Sequence, residues 1–80
     1  MDHLYWLSYC NKDHVHVVIQ PGMSLTHARL KAALAHLDDG TFAGGHQLDT
    51  ETIKWVPPRM ISRRLAADEA MKFLANRGDA

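Results

Sequence analysis

Two runs of β-favouring residues open the chain, and a short polar break separates them. Residues 4–10 are mostly aromatic and aliphatic, residues 14–20 are mostly β-branched, and the break at residues 11–13 reads Asn-Lys-Asp. Asn and Asp tolerate the left-handed backbone conformation that tight loops need. The pattern therefore predicts a β-hairpin.

The alternation of side chains along these two strands predicts how they pair. With a three-residue loop, Cys10 lies opposite His14, and Trp6 lies opposite Val18. One face of the hairpin then carries only apolar and aromatic residues, namely Tyr5, Leu7, Tyr9, Val15, Val17 and Ile19. A two-residue loop would mix polar and apolar side chains on each face, because a slip of one residue moves a whole strand across the sheet. We therefore expect the three-residue loop.

Capping residues and apolar stripes predict two main helices after the hairpin. Ser24 is suited to be the N-cap of the first helix, which we expect to end at Gly40. The second helix covers residues 67–74, with Asp68 and Glu69 at its positive end and Gly78 after it. The stripes that we expect to face the core are Leu30, Ala33, Leu34 and Leu37 in the first helix and Ala67, Ala70, Met71 and Leu74 in the second.

The segment between these helices is harder to assign. Residues 40–48 contain three glycines and indicate a loop. Residues 49–55 favour a short helix only slightly over a strand, because their β-branched residues have β-propensity, and Pro57 would end such a helix. Residues 59–65 alternate weakly between apolar and polar types and predict a third strand.

These elements predict one small α+β domain over residues 1–80, with a three-stranded sheet and the order β-β-α-(short α)-β-α. A right-handed crossover would place the third strand parallel to the second and beside the first. Both main helices would then cover the face of Tyr5, Leu7 and Tyr9. The opposite face of the sheet would be left bare.

Composition narrows the classes of function. The chain has 80 residues, a single cysteine, and nine basic residues that balance nine acidic ones. A domain of this size has a limited core, and with Cys10 alone no internal disulfide can brace it, so a partner subunit becomes a natural source of stability. No signal-peptide pattern and no apolar run of membrane-spanning length is present, so we expect a cytoplasmic protein without membrane contact.

The bare sheet face gives the leading hypothesis, a non-enzymatic protein-interaction domain that binds itself or another protein. An exposed tryptophan with apolar neighbours is typical of an interface core. The candidate interface residues are Leu4, Trp6, Val18, His14 and His16. The competing interpretation is that residues 49–56 or the glycine loop fold over Trp6 and make it part of the core.

Two further binding hypotheses rest on smaller sets of residues. Weak nucleic-acid binding would use a local basic stretch with one aromatic residue, although the chain is neutral overall. That stretch comprises Lys54, Arg59, Arg63 and Arg64. Metal binding would use His14 and His16, which project from one strand face but lack the spacing of further ligands. Cys10 beside His14 lacks an orienting third group, so we predict no catalytic residue, no cofactor and no metal site.

Overall fold

The computed structural model describes residues 3–49, 53–54 and 56–78, and a four-stranded antiparallel sheet forms its centre. Strands β1 (His3–Asn11) and β2 (His14–Gly22) form the predicted hairpin. Strand β3 (Thr41–Gln47) lies beside β1, and the short strand β4 (Arg64–Ala66) lies beside β2. The small α+β fold is confirmed, with four strands in the order β3-β1-β2-β4 instead of three.

The glycine-rich segment and the last strand differ from the prediction. We expected residues 40–48 to be a loop, but strand pairing uses backbone groups, and the glycines of β3 supply these as well as other residues do. Because β3 occupies the edge beside β1, the later strand pairs antiparallel with β2 instead. Of the predicted strand at residues 59–65, only residues 64–65 belong to β4; residues 59–60 lie in a 3₁₀ turn, Pro58–Met60, and Ile61 forms a bridge with Ile19.

Two helices, α1 (Leu25–Leu34) and α2 (Ala67–Gly78), form where the sequence predicts them. The Ser24 side chain caps α1, since its hydroxyl oxygen accepts a hydrogen bond from the His27 amide at 3.1 Å. Helix α2 follows β4 directly, and its first turn contains Asp68 and Glu69, whose charges suit the positive end of the helix.

Helix α1 ends earlier than the predicted stop at Gly40. His36 adopts the left-handed conformation with φ 60°, its amide donates to the Ala33 carbonyl, and the Leu37 amide donates to the Ala32 carbonyl. These two bonds form a Schellman motif, which satisfies the last carbonyls of the helix without a glycine. Gly40 instead serves the entry to β3: its φ is +87°, and any Cβ there would collide with the Cys10 carbonyl.

The hairpin register differs from the prediction by one residue. Asn11 pairs with His14 across a two-residue loop, Trp6 pairs with Ile19, and Leu7 pairs with Val18. Paired residues share a face, so Trp6 and Val18 lie on opposite faces of the sheet. The prediction was wrong because it assumed one buried face, whereas this sheet is covered on both sides and each face is largely apolar.

Each face of the sheet carries its own core. The α1-side core contains buried residues from β1, β2 and α1, namely Tyr5, Leu7, Tyr9, Val18, Ala28 and Ala32. The α2-side core lies on the other face and contains Trp6, Val17, Ile19, Leu48, Met60, Leu65 and Ala70. The expectation that both helices cover one face is therefore wrong. In the observed register, each face of the hairpin carries apolar side chains, so β1 and β2 contribute to both cores.

Small residues let α1 approach the sheet closely. Ala28 and Ala32 are fully buried, and a Cβ added to Gly22 of β2 would stand 2.8 Å from the Ala28 nitrogen and 3.0 Å from its Cα. There is no space for larger side chains at this contact. The sheet-facing side of α1 is therefore its alanine side. Of the predicted stripe, Leu30 and Leu34 are exposed, while Leu37 packs against the α1-side core as predicted.

Some predictions fall on parts of the chain outside the description. In the predicted short helix at residues 49–55, Thr50, Glu51, Thr52 and Trp55 lie outside the described residues, while the Ile53 amide donates to the Asp49 carbonyl at 3.0 Å. In the predicted stripe of α2, Ala70 is buried and Met71 is exposed. The side chain of Leu74 also lies outside the description.

Candidate functional site

The predicted interface around Trp6 and Val18 does not form a surface. Val18 is 0% exposed beneath α1, and Trp6 is 9% exposed on the opposite face. The indole nitrogen of Trp6 donates to the Ser8 hydroxyl at 3.1 Å, and its ring stacks on His46 with centroids 6.3 Å apart. Leu4 is half-buried against the same core. These apolar residues hold the protein together and leave no open patch at this place.

The competing interpretation of Trp6 is the one that the structure supports. Leu48, Met60 and other residues of the segment after β3 pack in the core of Trp6, with Ile53 and Val56 packed against it. The Leu48 amide donates to the Leu4 carbonyl at 2.8 Å, which directs the chain from the end of β3 across that face. The connection between β3 and β4 thus contributes to the cover over the tryptophan.

The two strand histidines have different environments. His14 is exposed near the tip of the hairpin. The Nε2 of His16 donates to the Leu37 carbonyl at 2.8 Å, and its ring stacks on Tyr9 with centroids 5.2 Å apart. His16 therefore fixes the turn after α1 to the sheet. Among the described residues, no group of three or more His, Cys, Asp or Glu side chains lies close enough to hold a metal ion.

The basic candidates Arg63 and Arg64 make ion pairs within the protein. Arg64 donates to the His36 carbonyl at 2.6 Å and pairs with Asp39 at 3.0 Å, which ties β4 to the end of α1. Arg63 pairs with Glu69 at 3.6 Å. Arg59 is exposed on the 3₁₀ turn. Lys54 is exposed and directly follows Ile53 in the sequence. Acidic neighbours therefore offset the charge of Arg63 and Arg64.

An exposed apolar stripe on α1 is the surface that sequence reasoning missed. Met23, Leu30 and Leu34 are 71%, 56% and 73% exposed. Helical spacing places His27, Leu30 and Leu34 along one side of α1, and Met23 precedes the N-cap residue Ser24. The Met23 amide donates to His27 Nδ1 at 2.9 Å, so the methionine that precedes the helix is fixed to its first turn.

The missed signal is a pair of alanines. Ala28 and Ala32 are spaced by four residues and both are fully buried, and Ala28 lies against the backbone at Gly22. A Gly-Ala contact allows a close helix–sheet approach, and it turns the leucines on the opposite side of α1 towards solvent. We assigned the larger side chains to the core, because hydrophobic size usually decides which side of a helix is buried.

The charges around the stripe are positive. Residues 23–37 contain Arg29 and Lys31 and no acidic residue, and Asp38 and Asp39 follow only after the helix has ended. The Arg29 guanidinium lies 3.9 Å from the centre of the Phe42 ring, and it also hydrogen-bonds to Tyr9. Helical spacing puts Arg29 and Lys31 on opposite flanks of the apolar stripe.

Tyr9 lies beneath this cationic flank, and its phenol group is perturbed. Burial raises the pKa of Tyr9 above its ordinary value of 10.0, and the negative charge of Asp38 raises this pKa further. Arg29 opposes both effects through its charge and its hydrogen bond. The neutral phenol is therefore the favoured form at this contact between α1, β1 and β3.

Known proteins give no match to this chain: no family model, curated protein or solved structure corresponds to it. None of the helices in the described part is long and apolar enough to cross a membrane.

Proposed function

We propose that the chain is a small protein-interaction domain that binds an acidic amphipathic helix on the outer side of α1. The exposed apolar stripe of Met23, Leu30 and Leu34 carries this proposal. Exposed apolar residues at i and i+4 of a helix, as Leu30 and Leu34 are, are typical of surfaces on which a partner helix packs. Trp6 and Val18, which the sequence predicts as interface residues, are buried on opposite faces of the sheet and are not part of this surface.

Charge supports a partner with acidic flanks. The helix carries Arg29 and Lys31 beside the stripe and no carboxylate of its own. A second copy docked face to face would bring these like charges together, and such juxtaposition is unfavourable. A helix with leucines on one side and glutamates beside them would gain apolar burial and opposite charges together.

A membrane surface fits the same stripe less well. Anionic leaflets are bound by clusters of about four to eight Lys or Arg residues, whereas α1 has Arg29 and Lys31 only. Asp38 and Asp39 follow the C-terminal end of the helix, where an anionic leaflet would repel them. The helix also lacks the aromatic residues that favour the interface of a bilayer.

The test uses two designed helical peptides with the same leucine stripe, one flanked by glutamates and the other by lysines. We expect the glutamate peptide to bind and the lysine peptide not to bind, with affinity falling as salt rises. Fluorescence anisotropy of the labelled peptides measures both. Truncating Leu34 to Ser should weaken binding roughly tenfold or more, because burying a leucine contributes about 1.5–3 kcal/mol.

Met71→Ser is the matched control, because Met71 is similarly exposed but lies on α2. That variant should bind the glutamate peptide as the unsubstituted protein does. Equal binding of both peptides, or equal loss in both variants, would contradict the proposal. Binding to anionic vesicles without binding to the glutamate peptide would assign the stripe to a membrane. Salt-sensitive retention of an oligonucleotide that disappears in an Arg59→Ala variant would favour the nucleic-acid hypothesis instead.

A further inference from the structure

The two edges of the sheet differ in how well they are protected. An edge strand presents unpaired backbone groups, and proteins commonly protect it with short length, charged residues or proline. Strand β4 has three residues and begins at Arg64, directly after Arg63. Strand β3 has seven residues, Thr-Phe-Ala-Gly-Gly-His-Gln, with neither a Lys, Arg, Asp or Glu nor a proline among them. The β3 edge is therefore the open one.

The backbone groups that β3 directs outward follow from its pairing with β1. The Leu48 amide donates to the Leu4 carbonyl, so this pair is hydrogen-bonded. Antiparallel ladders alternate, and the bonded residues of β3 are then His46 and Gly44. The amides and carbonyls of the alternate residues, Gly45 and Gln47, consequently point away from β1.

A register shift limits the regular part of this edge. Ser8 pairs with Gly44, while the next residue of β1, Tyr9, pairs with Phe42. Ala43 is thus the extra residue of a β-bulge, which bends the strand there. Residues 44–47 form the straight stretch, and within the described part of the chain no other strand pairs with its outer side.

We propose that two copies of the chain pair through the outer edges of their β3 strands, in antiparallel orientation. With Gly45 of one copy opposite Gln47 of the other, every outward amide and carbonyl on the straight stretch gains a partner. The interface is isologous, because the same segment contributes on both sides. It joins the two sheets into one sheet of eight strands.

A second copy suits this edge better than a foreign strand does. The edge carries no permanent charge, so two copies meet without like-charge repulsion. Recognition of a particular foreign strand needs side-chain pockets or charges beside the edge, and the side chains of Thr41, Ala43 and Gln47 are small or uncharged. This association goes beyond the proposed helix binding, and it uses a different surface.

The first test is the mass in solution. Sedimentation equilibrium up to roughly 1 mM protein should show a dimer that dissociates on dilution. Gln47→Lys places like charges at the seam and should raise the dissociation constant at least about tenfold. Ala66→Lys is the matched control, because Ala66 is an exposed residue of β4 at the opposite edge. It should dimerise as the unsubstituted chain does.

The second test is amide hydrogen exchange, residue by residue. In the dimer the amides of Gly45 and Gln47 should be protected, and this protection should disappear on dilution and in the Gln47→Lys variant. The amides of Gly44 and His46 should stay protected throughout, because they bond to β1 within one chain. A chain that remains monomeric at roughly 1 mM would overturn the proposal.

A dimer that survives Gln47→Lys but dissociates in Leu34→Ser would also overturn it, since the contact would then lie on α1. The two proposals fail separately. Peptide binding is measured on monomers at low concentration, whereas edge pairing is measured without peptide.

Discussion

At the scale of single residues, Tyr9 makes the stability of the fold depend on pH. Its phenol lies between the sheet and Arg29, and burial raises its pKa above 10.0. A raised pKa in the folded state means that folding favours the protonated phenol. The stability contributed by this preference is complete below pH 10.0 and is lost as the pH rises through the raised value.

We therefore predict an alkaline loss of stability that depends on Tyr9. Urea unfolding from about pH 8 to about pH 11 should show the free energy of unfolding falling less steeply in Tyr9→Phe than in the unsubstituted protein. The two curves should be parallel below pH 10.0, which serves as the internal control. Curves that stay parallel above that pH would show that ionisation of Tyr9 is not linked to folding.

The residue scale also explains what the sequence could predict locally. Ser24 was identified as the cap because a hydroxyl three residues before a free amide has one obvious use, and the structure contains that bond. The predicted helix end at Gly40 is wrong, because a glycine is only the usual left-handed residue after a helix and not the required one. His36 takes that conformation instead, and its carbonyl accepts a hydrogen bond from Arg64, which is distant in sequence. Such a partner cannot be read from local pattern.

At the scale of elements, the hairpin and α1 were found correctly, but the sides that they bury were not. The two errors have different causes. For the hairpin, the alternation rule assumes that one side of a strand faces water, whereas β1 and β2 contribute to cores on both faces. For α1, hydrophobic size assigns Leu30 and Leu34 to the core, which in fact receives Ala28 and Ala32.

Because α1 buries its alanine side and exposes its leucines, substitutions on the two sides should affect stability differently. Ala32→Leu should destabilise the protein by about 1–3 kcal/mol, because extra methylene groups at a fully buried contact force α1 away from β2. Leu34→Ala should change stability by less than about 0.5 kcal/mol, because that side chain is exposed. Urea midpoints of the two variants measure both changes. A larger loss in Leu34→Ala than in Ala32→Leu would show that the leucine side of α1 packs against the protein.

At the scale of the whole molecule, two different surfaces remain exposed, one on a helix and one at an edge of the sheet. The α1-side core lies on one face of the hairpin and the α2-side core on the other, while the outer side of α1 is exposed and no described strand pairs with the outer edge of β3. Sequence pattern could not locate either one. The stripe depends on how closely α1 approaches Gly22, and the edge depends on the order of strands that are distant in sequence.

The two proposed surfaces combine in a dimer. Antiparallel pairing of β3 with β3 requires a two-fold axis perpendicular to the sheet, and such an axis keeps both copies of α1 on the same face. Helix α1 packs mainly over β2, and the two β2 strands are five strand spacings apart, or roughly 24 Å at about 4.8 Å each. A dimer would therefore present two apolar stripes, related by the two-fold axis, at a distance that one flexible ligand can span.

Avidity tests this arrangement. Two copies of the glutamate-flanked peptide joined by a Gly/Ser linker of about 20 residues, whose mean span is roughly 25 Å, should bind the dimer at least about a hundredfold more tightly than one copy does. Gln47→Lys should lose this gain and keep its affinity for the single peptide, because the substitution disrupts the pairing of β3 and leaves α1 unchanged. Anisotropy titrations with both ligands, at a protein concentration where sedimentation shows the dimer, measure the difference. If the linked ligand binds no more tightly than the single one there, the two stripes do not share one face at this distance, and the edge-to-edge geometry is wrong.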